Sequence, residues 1–462
     1  MMAFILSLPV LLAAQDSTAP SRTPASETTN RPLGDVQQGY GQLAQKNFVG
    51  AEASFRAAIA SQPKLAEAHH GLGLALWREG KGNDALRELT EAAQLDTASA
   101  ALDLDLARAA WSMADQARSS DSQTQNHNVV EGSYRSLAIT EMLKALSLKP
   151  KDTQVHLDLA ELYLEANQPK DAASQADEAA GLDPKNAAPF VILGRAAAAQ
   201  DNEAQAVMEY EKALQLNPHD AESYIAIGEL RAQQRDYPDA VKALRSAIQA
   251  SPGLTEAYAV LGQILEQTHQ TAEARAVFER ALALDPSDWE SAYRLGKTLA
   301  GAGNAQASMA LFQKAVDIHP DFPEAREQLA LGLVRRGDLA GAAAQAEVIF
   351  SRHAQAPEGH AVMALVAWKQ RSYDASLEEC ALALASDPRS AQALALQALD
   401  FWQEGRRGEA RQAFVAASKE QQDIGSSDAF CRLVACDARD IGMVEEFLRK
   451  NRWALSPPPD AP

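Results

Sequence analysis

From residue 32 onward the apolar positions of this chain do not alternate as in a strand; they cluster at spacings of three and four, as on one face of a helix. The clusters come in pairs. Each pair contains a small residue in its first half, at Gly39, Gly73, Ala107, Ala160, Gly194, Gly228, Gly262, Gly296, Ala330, Ala364 and Ala398. A large aliphatic residue stands just before many of them, as at Leu72, Leu106, Leu159, Ile227 and Leu295. The second half shows the same demand at Ala51, Ala85, Ala138, Ala172, Ala206, Ala240, Ala274, Ser308, Ala342, Ser376 and Ala410, and again seven places later with alanine everywhere except Ile349. Phe55, Tyr210, Phe278, Phe312 and Phe414 recur between these two small columns. The pattern predicts two antiparallel helices per unit, packed through small side chains against large ones.

The beat is 34 residues, and Pro150, Pro184, Pro218, Pro252, Pro286 and Pro320 mark it. Endings such as Leu182 to Pro184 stop the second helix, because proline excludes helical angles from the residue before it. Unit starts fall at 32, 66, 100, 153, 187, 221, 255, 289, 323, 357 and 391, with the prolines at the thirty-second place and Thr97 and Ala354 replacing two of them. A helix pair of this size cannot bury its apolar face alone, so the units must stack.

These units resemble tetratricopeptide repeats, from residue 32 to about 420. The resemblance implies an all-α, right-handed α-solenoid of about eleven helix-turn-helix repeats. It also implies a protein-interaction scaffold without catalysis or cofactor, with the first helices lining a concave groove. Some members of the family clamp a peptide's terminal carboxylate with Lys and Asn at the fifth and ninth places. Leu157 with Glu161, and Ala259 with Gln263, do not fit that pattern. Nor is there the asparagine ladder of repeat-bearing glycosyltransferases.

Outside the repeats, residues 1–14 read as a secretory signal and 15–31 as a Ser/Thr/Pro-rich linker. Ala3 to Ala14 is too short to span a bilayer, which takes roughly 20 apolar residues. The expectation is export to the periplasm or medium; since no Lys or Arg precedes the apolar run, the alternative is a cytoplasmic protein. Residues 421–453 lose the beat and read as capping helices, and 454–462 as a proline-rich tail. The third unit carries 19 extra residues within 112–130, mostly polar, predicting an exposed loop or two lengthened helices.

Composition narrows the partners. Lys and Arg number 43 against 62 Asp and Glu, a formal net charge of −19, which argues against nucleic acid. Three cysteines are too few for a disulfide framework. Cys380 lies on a core column, and Cys431 and Cys436, five apart on a predicted helix, diverge unless that helix breaks. No catalytic constellation emerges. Gly80-Lys81 is followed by Gly82 where a phosphate loop needs Ser or Thr. His69 and His70 lack metal spacing and read as helix surface; Asp103 with Asp105 and Glu445 with Glu446 read as solvated faces.

The candidate groove is therefore defined by two columns. The ninth place runs Tyr40, Leu74, Arg108, Glu161, Arg195, Glu229, Gln263, Lys297, Leu331, Leu365, Leu399, polar in the middle and alternating in sign from Arg108 to Glu229. These charges either bridge from unit to unit or read an extended or helical segment of a protein partner, with Arg108 and Arg195 as carboxylate receptors. The twelfth place holds Trp77, Trp111, Trp368 and Trp402, either core fillers or aromatic anchors. Two other functional classes stay open: a regulatory or substrate-recruiting subunit of an enzyme complex, and a structural factor in envelope assembly.

Overall fold

The computed structural model describes residues 25–119, 125–436 and 439–451, and all regular structure among them is helical. The segments read as signal and tail lie outside these residues. The chain divides into two compact units, one ending at Asn217 and one beginning at Pro218. The first holds repeats one to five; the second holds repeats six to eleven and the C-terminal cap. In each, a repeat's two helices pack on one another, and several successive first helices also touch.

The small columns sit where the helices meet. Both columns in the second helices are buried in all eleven repeats, Ile349 included, as is the small residue of each first helix. A methyl group added to Gly73 would lie 2.7 Å from the Leu89 side chain, and one on Gly262 would lie 2.4 Å from the Phe278 ring. Those distances are shorter than van der Waals contact, so the large residue of the second helix occupies the space that glycine leaves.

The turn inside each pair follows one design. At the fifteenth place the backbone is left-handed in ten repeats, from Lys46 (φ 60°) through Asn167 (φ 56°) and His269 (φ 60°) to Gly405 (φ 78°). The next amide then bonds back five residues, as Gln168 does to Tyr163 O at 2.8 Å and Gln270 to Leu265 O at 2.8 Å. This is a Schellman ending, which satisfies carbonyls that the helix leaves unpaired. Glycine fills the place in only four of the ten, so no glycine column betrays it in the sequence. Asn47, Asp152, Asn202, Asp236, Asp288, Asn304 and Asp338 often follow and cap the second or next first helix.

The third repeat departs from this plan. Its helices run Ala100–Ser119 and Gln125–Leu148, so extra residues lengthen both helices. At the N-terminus the first helix spans Ala25–Ala44, which corrects the linker: its last seven residues are helical. The stretch between Pro24 and Pro32 contains neither proline nor glycine to break the helix.

The cap is built on aromatic rings. Phe430 and Phe447 pack at 5.6 Å between centroids, and Phe447 meets Phe414 at 5.1 Å and Trp402 at 5.5 Å. The helix Ser427–Leu433 ends before Ala435, whose φ is 47°, and the turn brings Cys431 and Cys436 into a disulfide with Cα atoms 4.7 Å apart. The expectation of diverging thiols is thereby corrected: the helix does break between them. Cys380 is fully buried, and burial pushes its thiol up.

Candidate partner face and polar seam

In the first unit, the ninth-place residues form pairs between repeats. Arg195 donates through Nη1 to Glu161 Oε2 at 2.6 Å, and both side chains stay partly solvated. Arg108 approaches not Glu161 but Asp158, at 3.5 Å; Asp158 is buried and also accepts from Gln154 at 2.7 Å. Burial raises the Asp158 carboxyl against the opposing pull of Gln154 and Arg108. Toward the N-terminus, His70 joins three repeats, with Nδ1 3.0 Å from the Tyr40 hydroxyl and Nε2 2.8 Å from Asp105.

In the second unit the same column is solvated only part of the way. Glu229 and Lys297 are exposed, and Gln263 donates to Glu290 at 3.0 Å. The Lys297 ammonium lies 5.5 Å from the Tyr293 ring centre. Arg294 pairs with Glu266 at 3.2 Å and Glu290 at 2.9 Å. Nearby, half-buried Glu327 is pushed up to about 8, by burial first and then by Glu358 and Glu324. From the ninth repeat onward the column turns inward: Leu331, Leu365 and Leu399 are buried.

The tryptophan column resolves into core. Trp111, Trp368 and Trp402 are buried, and Trp77 is half-buried against the clusters on both sides of it. Trp111 donates to Glu165 at 2.9 Å, and Trp402 is covered by Phe447 and by the Arg407 guanidinium 3.5 Å from its ring centre. This corrects the aromatic-anchor alternative for these three, because a ring buried between stacked repeats has no face left for a partner. A buried carboxyl also escaped the sequence reading: Asp400 accepts from Ser376 Oγ at 2.7 Å and is raised to about 7, chiefly by burial.

The two adjacent histidines are likewise not surface. His69 is 8 % exposed and faces acceptors with both nitrogens: Nε2 is 2.9 Å from Pro63 O and Nδ1 is 2.7 Å from Glu88. This contact recurs. At the fourth place of a repeat, a donor side chain reaches back six residues to the carbonyl of the closing proline and across 19 residues to the second helix. His156 meets Pro150 O at 3.2 Å and Gln175 at 2.8 Å. Arg326 meets Pro320 O at 3.1 Å and Gln345 at 2.9 Å. Tyr258 makes the proline bond alone, at 3.1 Å, and His360 the cross-helix bond, to Glu379 at 2.7 Å. In the repeats that begin at 66, 153, 255 and 323 the seam ties the repeat to the one before it, through groups of different type that share one property, an N–H or O–H to donate.

The tetratricopeptide repeat family model matches residues 36–101, 157–221, 193–255 and 259–323, in register with the helix pairs just described. The chain is a tetratricopeptide repeat protein. The third repeat and those beyond residue 323 lie outside those matches and carry the same small columns and helix pairs. Several solved structures are similar to parts of this repeat protein. One is YrrB, described as a TPR protein with an unusual peptide-binding site, at 24% identity over 40% of this chain and 95% of that one, with a TM-score of 0.34. Another is a tetratricopeptide repeat protein from Parabacteroides merdae, at 15% identity over 58% and 99%, with a TM-score of 0.43. A third is the APC/C hetero-tetramer Cut9-Hcn1, at 12% identity over 78% and 88%, with a TM-score of 0.41. No curated protein matches the chain by sequence. Proteins of this repeat family are, in general, scaffolds that bind other proteins. Among the described residues, no helix is long and apolar enough to cross a membrane.

Proposed function

We propose that this tetratricopeptide repeat protein is an exported, non-catalytic scaffold that holds an extended or helical segment of a protein partner along its first helices. The observation that carries the reading is the behaviour of the ninth place. Its side chains stay at the surface and polar from Arg108 to Lys297, then become buried leucines from Leu331 onward. The candidate recognition residues are Arg108, Glu161 and Arg195 on the first unit and, taken separately, Glu229, Gln263 and Lys297 on the second. The Arg195 and Glu161 pair is solvated enough to exchange one partner for another at little cost. Export is supported by the pairing of Cys431 with Cys436, since disulfides persist mainly in oxidising compartments.

The test is affinity capture with the full chain and with the double variant Arg108→Glu, Arg195→Glu, read by mass spectrometry. Loss of a wild-type partner in the variant, with the helical signal unchanged, supports the reading. Capture of the same proteins in the same amounts overturns the role of these arginines. Amino-terminal sequencing of the protein recovered from its native host tests export, and an intact Met1 in a cytoplasmic fraction would refute it.

A further inference from the structure

The seam has one repeat in which its chemistry is inverted. In the third repeat the fourth place is Asp103, and the place across from it, counted through the lengthened helices, is Glu141. Where His69 faces Glu88 and Arg326 faces Gln345, a donor meets an acceptor; here a carboxyl meets a carboxyl. The closing proline is also replaced, by Thr97. Between these residues lies a cavity of about 350 Å³, lined by Thr90, Thr97, Asp103, Glu141, Lys144 and Ser147 among others.

Both carboxyls are 4 % exposed. Glu141 Oε1 takes the Lys144 ammonium at 2.7 Å, while Glu141 Oε2 is buried without a hydrogen-bond partner. Lys144 itself projects mostly into solvent, so one solvated cation serves two buried acids. Burial and the neighbouring Glu141 raise the Asp103 carboxyl, with Lys144 pulling the other way. A buried acceptor left unpaired is costly, and in four other repeats a nitrogen-bearing side chain, His69, His156, Arg326 or His360, stands at this position and meets the second helix.

We propose that this cavity receives the guanidinium of an arginine side chain on a protein partner, in the place that Arg326 fills from within its own repeat. The internal comparison selects the guest. Arg326 shows that a guanidinium fits the seam, with Nε on the preceding carbonyl and Nη1 on the second helix. In the third repeat both flanking groups are carboxyls, so the bonds become charge-assisted and forked. A metal ion is a poorer fit: among the described residues no group of three or more His, Cys, Asp or Glu is placed to hold one. The pocket lies on the seam between the second and third repeats, so it is a contact separate from the ninth-place face and does not depend on it.

Saturation-transfer NMR on the full chain tests this, with acetyl-Gly-Arg-Gly-amide as probe, its citrulline counterpart as the neutral isostere, and agmatine as a free guanidine. The arginine peptide is expected to saturate the site and the citrulline peptide to bind at least about tenfold more weakly. Asp103→His, which restores the seam's own donor, should weaken the arginine peptide by at least about tenfold with circular dichroism unchanged. Asp103→Asn provides the same test if the histidine variant misfolds. Because the whole chain is acidic, binding that persists equally in these variants is diffuse attraction and overturns the proposal. So does agmatine binding without peptide binding, which would make this a small-molecule site, and so does the absence of any signal from the wild type.

Discussion

In the second repeat His69 reaches from the Pro63 carbonyl to Glu88 and locks the repeat to its predecessor; one repeat later Asp103 stands beside Glu141 over a cavity. The two repeats share their small columns, Gly73 with Ala85 and Ala107 with Ala138, all buried. What they do not share is the polar group between repeats. The comparison teaches that close approach of paired helices makes the repeat, whereas the seam is free to be a bond or a gap. Dispersion and apolar burial in the pair act wherever side chains interlock, while the seam contributes only a hydrogen bond or two.

The largest effects should come from the feature common to both repeats. Leu89→Ala in the second and Met142→Ala in the third each remove a fully buried side chain from between the helices. Each should cost about 2–5 kcal/mol, read as a lower urea midpoint. A loss below about 1 kcal/mol in either would mean that the pair is not what stabilises the repeat.

The seam substitutions should separate the two repeats. His69→Ala removes the ring that contacts both Glu88 and the Pro63 carbonyl and should cost about 1–2 kcal/mol. Asp103→Ala relieves the apposed acids and should leave stability unchanged or raise it. Equal destabilisation by both would erase the distinction drawn here.

The smallest effect is a dependence on pH. Asp103 holds its proton more tightly folded than unfolded, because burial and Glu141 disfavour its charged form. The folded state is therefore favoured below the ordinary carboxylate range, and this advantage is lost as pH rises through that range toward the raised folded value. Asp103→Asn should flatten that part of the stability curve. Asp400→Asn should do so over a wider window, from about pH 4 to about 7, since burial raises Asp400 to about 7. An unaltered slope in both variants would place the titrating groups elsewhere.

Much of the architecture was legible because it depends on size. A place where two helices nearly touch admits only glycine, alanine or serine, so that column shows directly in the residues, as at Gly262 beneath Phe278. The fifteenth place was not legible, because Lys46, Asn167 and His269 adopt the left-handed turn as well as Gly405 does. The seam was hidden for a related reason. Its fourth place holds His69, His156, Tyr258 and Arg326, alike in donating a proton and unlike in every property that a column of letters displays. The tryptophan column left two readings open, and the stacking of neighbours and the cap turned Trp111, Trp368 and Trp402 inward, as core.

The chain alone determined the helix pair, its beat and its number, because steric exclusion at a fixed spacing is a local property written once per repeat. Which charges face solvent, which acids are driven together, and that Cys431 could turn back to Cys436 were decided only in the folded protein. Those outcomes depend on residues 19 or more apart, or on a helix ending one turn early, and burial and electrostatics act between neighbours in space that the sequence keeps apart.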